Sequence, residues 1–389
     1  MPIILGPPAA VTPNTTSDRA TAGRSSGRVR ALHKDDIPKI AALHDRIVGR
    51  APGKAPGSTE AHFTRIFLRH PWHNPALPSL VYETDSGEIA GCVGIMPRVM
   101  RYGGAPITVA VTHNFMVAPD ARTAMAGLQL AQRVLAGPQD MSLAEGNNIS
   151  RRIWERFGGS VSLLYSLHWT RPLRPAHYVL SLLDKRGLPG VLITMLRPLC
   201  SLADAMLPRL LSRRFSLVVP DARGAELDAA TMCAVLDRFG SECKLSPAPD
   251  VKSLSWQLQA LEARAGQQLH RVLVCGAKNE VLGFYLYYAD KARATGTLVQ
   301  LCAISPAQRE AVLDHLFDHA RQQGLCAVSG HMDPTLFPLL AKKQCVFHHD
   351  GNSWLLVHSR RPELVHTVNA GLACLSPLEG EWWVNYING

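Results

Sequence analysis

With 389 residues, 47% of them hydrophobic and 19% charged, the chain can bury a substantial core, and its length suits two domains better than one. Basic residues outnumber acidic ones 41 to 31, a formal balance of +10 that favours acidic partners: phosphate-bearing cofactors, carrier proteins, nucleic acid or an anionic membrane surface. Nine cysteines, scattered singly from Cys92 to Cys374, form no CxxC pair and no Cys/His zinc spacing, so a zinc site of recognised type is excluded and reduced, cytoplasmic thiols are expected.

The opening MPIILGPPAAV has no basic residue ahead of its apolar run and is interrupted by prolines, which makes it a poor signal peptide. Residues 1–27 are rich in Pro, Thr, Ser, Gly and Arg without an apolar period, and read as a disordered leader. From Arg28 the pattern changes. RVRAL predicts a strand, and Asp35 and Asp36 can cap a helix in which Ile37, Ile40, Ala41, His44 and Ile47 share one face. After a Gly/Pro loop, Phe63, Ile66 and Phe67 mark a short second helix, and LVYETDSGEIAGCVGIM predicts two strands joined at Asp85-Ser86-Gly87. Gly103-Gly104 turns the chain into a third strand, ITVAVTHNFMV. A helix beginning within ARTAMAG carries Leu128, Ala131 and Leu135 and ends at Gly137-Pro138. Strand MSLAEG, helix ISRRIWERFG and strand SVSLLYSLHW complete a first domain over 28–171.

Residues 172–214 differ. Leu188, Val191, Leu192, Met195, Leu199, Ala203, Met206 and Leu210 recur at helical spacing, with Pro198 and Pro208 expected to divide the helix. From Arg171 to Arg214 eight basic residues face only Asp184 and Asp204. The longest charge-free apolar run falls short of the roughly 20 residues a bilayer needs. The segment reads as a basic amphipathic linker packed between the domains, with peripheral membrane contact as the sharper alternative.

The chain then repeats itself. Glu88-Ile89-Ala90-Gly91 recurs as Glu280-Val281-Leu282-Gly283, and Val117-Ala118-Pro119 as Ile304-Ser305-Pro306, at offsets of 192 and 187 residues. Shared order and spacing predict a second copy of one fold over 215–389, ending in a tail with Trp382-Trp383.

The first amides of a helix have no internal partner and carry the positive end of its dipole. Small residues in ARTAMAG therefore allow the backbone to approach a diphosphate, and Arg122 can add a charge-assisted bond. The same residues also suit ordinary close packing. The string V-x-P-x-x-R-x-x-x-x-G-x-x-L, here Val117, Pro119, Arg122, Gly127 and Leu130, together with the order of elements, resembles the GNAT superfamily of acyl-coenzyme A dependent N-acyltransferases. Met125 stands where the family's loop has its first glycine. The block Asn147, Ser150, Trp154 and Gly158 is similar to the family's N-x-x-A-x-x-x-Y-x-x-x-G, with Trp154 at the place of the tyrosine.

The resemblance implies an α/β (α+β) architecture of two tandem GNAT-like folds with mixed sheets flanked by helices. It implies that the fourth and fifth strands splay, with pantetheine lying along Phe115, Met116 and Val117. The diphosphate would sit on the main chain of Arg122, Thr123, Ala124, Met125, Ala126 and Gly127, near Asn147, Ser150 and Trp154. Acetyl-coenzyme A or another acyl-coenzyme A is the expected donor, a primary amine on a small molecule the acceptor, and no metal is required. Glu145 and His113 are the candidate bases; each also has a bland reading, as a solvated strand end and a sheet histidine. Tyr165 or water is the candidate acid, since indole is no proton source. The second copy has Glu310 and no glycine at its helix start, so it is expected not to bind the donor. His331, Asp333, His348 and His349 match no metal-ligand pattern. Alternatives are a donor on an acidic carrier protein or aminoacyl-tRNA, and a non-catalytic binding protein; other nucleic-acid binding is not expected.

Overall fold

The computed structural model describes residues 27–49, 57–119, 124–210, 221–240, 242–262, 264, 266–381 and 383–384. The predicted leader, apart from Gly27, lies outside the described residues, as do Arg122, Thr123 and Trp382.

In chain order the elements are β1 (Gly27–Ala31), α1 (Ile37–Val48), α2 (Ser58–Phe63) continued by a π-helical turn at Thr64–Leu68, β2 (Leu80–Thr84), β3 (Ile89–Tyr102), β4 (Ala105–Val117), α3 (Ala124–Leu135), β5 (Met141–Gly146), α4 (Asn148–Arg156) and β6 (Ser160–Ser162). There follow α5 (Leu163–Ser166), β7 (His168–Pro172), α6 (Pro175–Lys185), α7 (Gly190–Leu210), β8 (Ala222–Glu226), α8 (Ala229–Gly240), β9 (Leu245–Pro247), α9 (Val251–Glu262) and β10 (Gln268–Gly276). The chain ends with β11 (Val281–Asp290), β12 (Thr295–Ala303), α10 (Arg309–Gln322), β13 (Ala327–His331), α11 (Phe337–Lys342), β14 (Val346–His348), β15 (Trp354–His358) and α12 (Pro362–Asn369).

Contacts divide the chain into two units that interleave in sequence. The first comprises the described residues up to Arg98, Ile107–Val161 and Asn352–Val365; the second takes Val99–Pro106, Ser162–Gly351 and the residues from His366. The first sheet runs β1-β2-β3-β4-β5-β15-β6, and the second runs β14-β7-β13-β12-β11-β10-β8. Each contains a parallel pair, β4 with β5 and β12 with β13, on either side of a helix in sequence. The repeat is therefore structural: an antiparallel meander, a helix, then a parallel strand. Sequence boundaries at 171 and 215 describe contiguous domains, whereas contacts join β15 to the first sheet and β7 to the second.

The first core gathers Tyr82, Val93, Ile95 and Ala110 from one sheet face with Ala126, Leu130 and Val134 of α3, Ala144 and Trp154. These are alternate residues on the strands and i, i+4 residues on the helix, so the sequence periods place them. The second core sets Trp169, Tyr285, Tyr287 and Leu298 against Val312, Leu316 and Phe317.

Three expectations are corrected. The apolar run SVSLLYSLHW is not one strand: it lacks strict alternation, and Ser166 Oγ donates to Ser162 O at 2.7 Å to close the single turn α5 between β6 and β7. Prolines 198 and 208 do not break α7, which runs through both. Pro198 is exposed, so solvent can reach the carbonyl that loses its helical partner. Met195, Leu199, Leu202 and Met206 form an exposed stripe along α7, while Ile193 is buried. Finally, Cys243 and Cys374 are joined in a disulfide, although 131 residues separate them and no local pattern marks the pair. Among the described residues no helix is long and apolar enough to cross a membrane. Trp383 packs edge-on against Trp256 at 5.7 Å, anchoring the tail.

Candidate functional site

The site follows from how β4 leaves β5. The two strands pair in parallel only at Val109 with Met141, Ala110 with Ser142 and Val111 with Leu143. Just past the paired stretch Thr112 Oγ1 donates to Leu143 O at 3.3 Å. β5 stays paired with β15 to its end, from Ser142 opposite His358 to Gly146 opposite Trp354. β4 instead stays with β3, where Ala118 N–H donates to Ala90 O at 2.8 Å. The strands diverge because each keeps its other neighbour. Past the paired stretch Asn114 of β4 is held at φ +47°, a left-handed conformation that asparagine tolerates better than most residues.

The helix α3 begins at Ala124, beside the diverging part of β4. A Cβ at Gly127 would lie 3.5 Å from Val117 Cγ2 and 3.7 Å from the Phe115 ring, so this turn rests directly on the strand. Ala126 is fully buried and Met125 is exposed. Small residues here serve close packing, and the same packing brings the helix start to the edge of the gap.

No family model and no curated protein matches the sequence. Solved structures do match. The "Probable N-Acyltransferase" of Enterococcus faecalis V583 aligns with a TM-score of 0.55 at 10% identity, over 86% of this chain and 73% of its own. A GCN5-related N-acetyltransferase from Anabaena variabilis ATCC 29413 gives 0.55 at 12% identity, over 85% of this chain and 72% of its own. Another from Kribbella flavida gives 0.51 at 15%, over 87% and 72%. The fold is that of the GCN5-related N-acetyltransferases. At these identities the likeness is one of fold.

Within this GNAT fold, Phe115 and Val117 are partly buried and Met116 is buried, all on the diverging end of β4. Asn147 is the N-cap of α4, its Oδ1 accepting from Ile149 N and Ser150 N at 3.0 Å each. The Ser150 hydroxyl donates to the same oxygen at 3.3 Å. Trp154 lies in the first core with Ala126, Leu130 and Leu356. These three residues thus have local structural roles in shaping the turn after β5.

His113 is fully buried on the opposite sheet face from α3, against Phe67 at 5.1 Å. Its Nδ1 donates to Asn114 Oδ1 at 2.9 Å, which leaves the lone pair on Nε2, a buried atom with no hydrogen-bond partner. Burial drives its pKa down to about 4, so the imidazole is neutral at pH 7; the Asn114 bond opposes that shift. Ala144 faces α3, so strand alternation places the partly buried Glu145 on the same face as His113. Tyr165 belongs to the second unit. There its hydroxyl donates to Ala373 O, accepts from Ala373 N–H at 3.2 Å, and is held well above its ordinary pKa by burial.

Sequence reasoning missed the neighbours of His113. His70 is buried, its pKa lowered to about 3 by desolvation and then by His113, His73 and Arg98. The Arg98 guanidinium lies 4.0 Å from the Trp72 ring centroid. The run HPWHN (70–74) is the signal that could have found this cluster, since two histidines flank a tryptophan in a loop.

In the second unit β12 and β13 pair only from Thr295 with Ala327 to Leu298 with Gly330. Here the helix start is occupied by charge pairs: Arg309 with Glu242 at 3.1 Å, and Glu310 with Lys342 and Lys343 at 2.9 and 3.0 Å. Among the described residues no set of three or more metal-ligating side chains converges; the His331 ring lies tilted against that of His168, centroids 4.4 Å apart.

Proposed function

We propose that the first unit transfers an acyl group from acyl-coenzyme A to a primary amine of a small molecule. The observation that carries this is the divergence of β4 from β5 beside the start of α3. A pantetheine arm can pair with the main chain of Phe115–Val117 as an added strand, and the adjoining helix start suits a diphosphate. Arg122 and Thr123 are assigned to that diphosphate from their place in the sequence.

The amine attacks the thioester carbon directly. Main-chain N–H of Met116 or Val117 donates to the carbonyl oxygen as it gains charge, and the C–S bond breaks as the oxyanion collapses. Glu145 takes the amine proton, directly or through water, and that proton goes to the departing thiolate. We assign Glu145 this role because it is partly exposed, whereas His113 is enclosed and holds Asn114 in its left-handed conformation. His113 is a positioning residue in this reading. Whether the acyl group is acetyl or longer is set by the depth of the gap.

Thermal shift with a series of acyl-coenzyme A thioesters tests the proposal. A rise in Tm that Arg122→Glu abolishes supports it. A shift with an acylated carrier protein alone moves the donor to that class, and no shift with any thioester leaves a binding protein on the same fold.

A further inference from the structure

A cavity of about 480 Å³ lies within the second unit, where α6, α7 and the β11–β12 turn meet. Its wall carries four cations from three segments: Arg174 before α6, Arg197 on α7, and Lys291 and Arg293 in the turn. Asp184 is the single carboxylate among the described lining residues. Ser181 and His177 add polar groups.

Two other cations in the molecule are each matched by a pair of carboxylates. Arg30 is gripped by Asp36 and Glu83 at 2.7 and 2.9 Å, and Lys343 by Asp314 and Glu310 at 2.6 and 3.0 Å. In the cavity Arg293 reaches Asp290 at 3.8 Å. Arg174, Arg197 and Lys291 have no carboxylate within ion-pair distance among the described residues.

The segments that carry these cations are fixed by main-chain bonds. The Cys326 carbonyl accepts from Leu173 N and Arg174 N at 2.8 and 3.0 Å, and its own N–H donates to Ala294 O at 2.6 Å. One residue therefore fixes both the Arg174 segment and the Lys291–Arg293 turn. Ala294 is held at φ +52°, a conformation that costs an alanine free energy. On α7, Asp204 lies two turns beyond Arg197 on the same side; it accepts from Ala176 N at 2.7 Å and from His177 Nδ1 at 2.6 Å. That fixes α7 against α6. These bonds hold the three segments that carry the cations, and a multivalent anion relieves the repulsion among like charges lining one cavity. Arginine forks from different directions match several phosphate oxygens better than one carboxylate, and the volume suits a small-molecule site.

We propose that this cavity binds a phosphate or diphosphate group, a site independent of the acyltransferase reading. The group belongs either to a dissolved phosphorylated small molecule or to a lipid headgroup. Calorimetric titration with pyrophosphate, and sedimentation with phosphatidic acid vesicles, are run on the wild type and on Arg197→Gln/Lys291→Gln. One arm or the other should show binding that the double variant weakens by about tenfold or more at unchanged circular dichroism. Loss confined to pyrophosphate assigns the dissolved source, and loss confined to vesicles the headgroup. If the double variant does not fold, Lys291→Gln, in an exposed turn, is read instead and should show a smaller loss. Binding unchanged by these substitutions, as expected for an anion held at the α3 corner alone, overturns the proposal, as does binding of neither probe.

Discussion

The imidazole of His113 occupies the space above Gly94: a Cβ built at position 94 would lie 2.1 to 2.5 Å from three of its ring atoms. Strand β3 has no side chain at this place because β4 fills it. Gly94→Ala should therefore destabilise the protein by about 1–3 kcal/mol through overpacking. Combined with His113→Ala, which vacates the same space, it should cost measurably less than the two single changes added together. Urea denaturation of the four proteins measures this. Simple additivity would show that the contact is not what excludes a side chain at 94.

Acid should weaken the fold through the same residue. His113 and His70 have folded pKa values lowered to about 4 and about 3, against 6.5 for an ordinary histidine. Below pH 6.5 the unfolded chain takes up protons that the folded chain refuses, so stability falls as pH drops from 6.5 towards 4. For His113 the loss is on the order of 2–3 kcal/mol. His270, also lowered to about 4, adds to the same slope. The readout is thus the difference between wild type and His113→Gln, whose curve should be flatter across that window.

Asn114 sits at φ +47° on β4, just past the residues that pair with β5. A β-branched residue resists this conformation, so Asn114→Val should cost about 2 kcal/mol or more and remove the acyl-coenzyme A thermal shift. Asn114→Gly keeps the backbone freedom and should retain most of the shift. Equal loss in both variants would assign Asn114 a side-chain role in donor binding instead.

Glu145→Gln should lower kcat by roughly 10²–10⁴ with little change in donor KM, as expected for a lost base. Tyr165→Phe should behave oppositely. Its hydroxyl is bonded to both main-chain groups of Ala373, so its loss should lower stability by about 1–3 kcal/mol and leave kcat near that of the wild type. Steady-state kinetics beside melting curves separates the two.

Thiol titration of the unfolded, unreduced protein should find seven free cysteines of the nine. Closing a loop of this length stabilises by about 5 kcal/mol in the chain-entropy model, so Cys374→Ala or added reductant should lower Tm. Nine free thiols would remove the bond.

The local order of elements was legible in the sequence because it rests on neighbours along the chain. Leu130 and Val134 of α3 share a face by helical period, Val93 and Ile95 share a face of β3 by alternation, and both sets meet in the first core. The turn glycines and the repeated strand-to-helix junctions are short-range signals of the same kind. The diverging strands were expected through family resemblance. The reason is tertiary: β5 keeps β15, more than 200 residues away in sequence, while β4 keeps β3. Period cannot report which distant strand completes an edge. For the same reason the exchange of β7 and β15 between sheets, the Cys243–Cys374 bond and the His113–His70–Arg98 cluster emerge only in the folded chain. Burial then decides chemistry: it leaves the His113 imidazole neutral, encloses the Tyr165 hydroxyl against the Ala373 main chain, and leaves Glu145 partly exposed at the strand end.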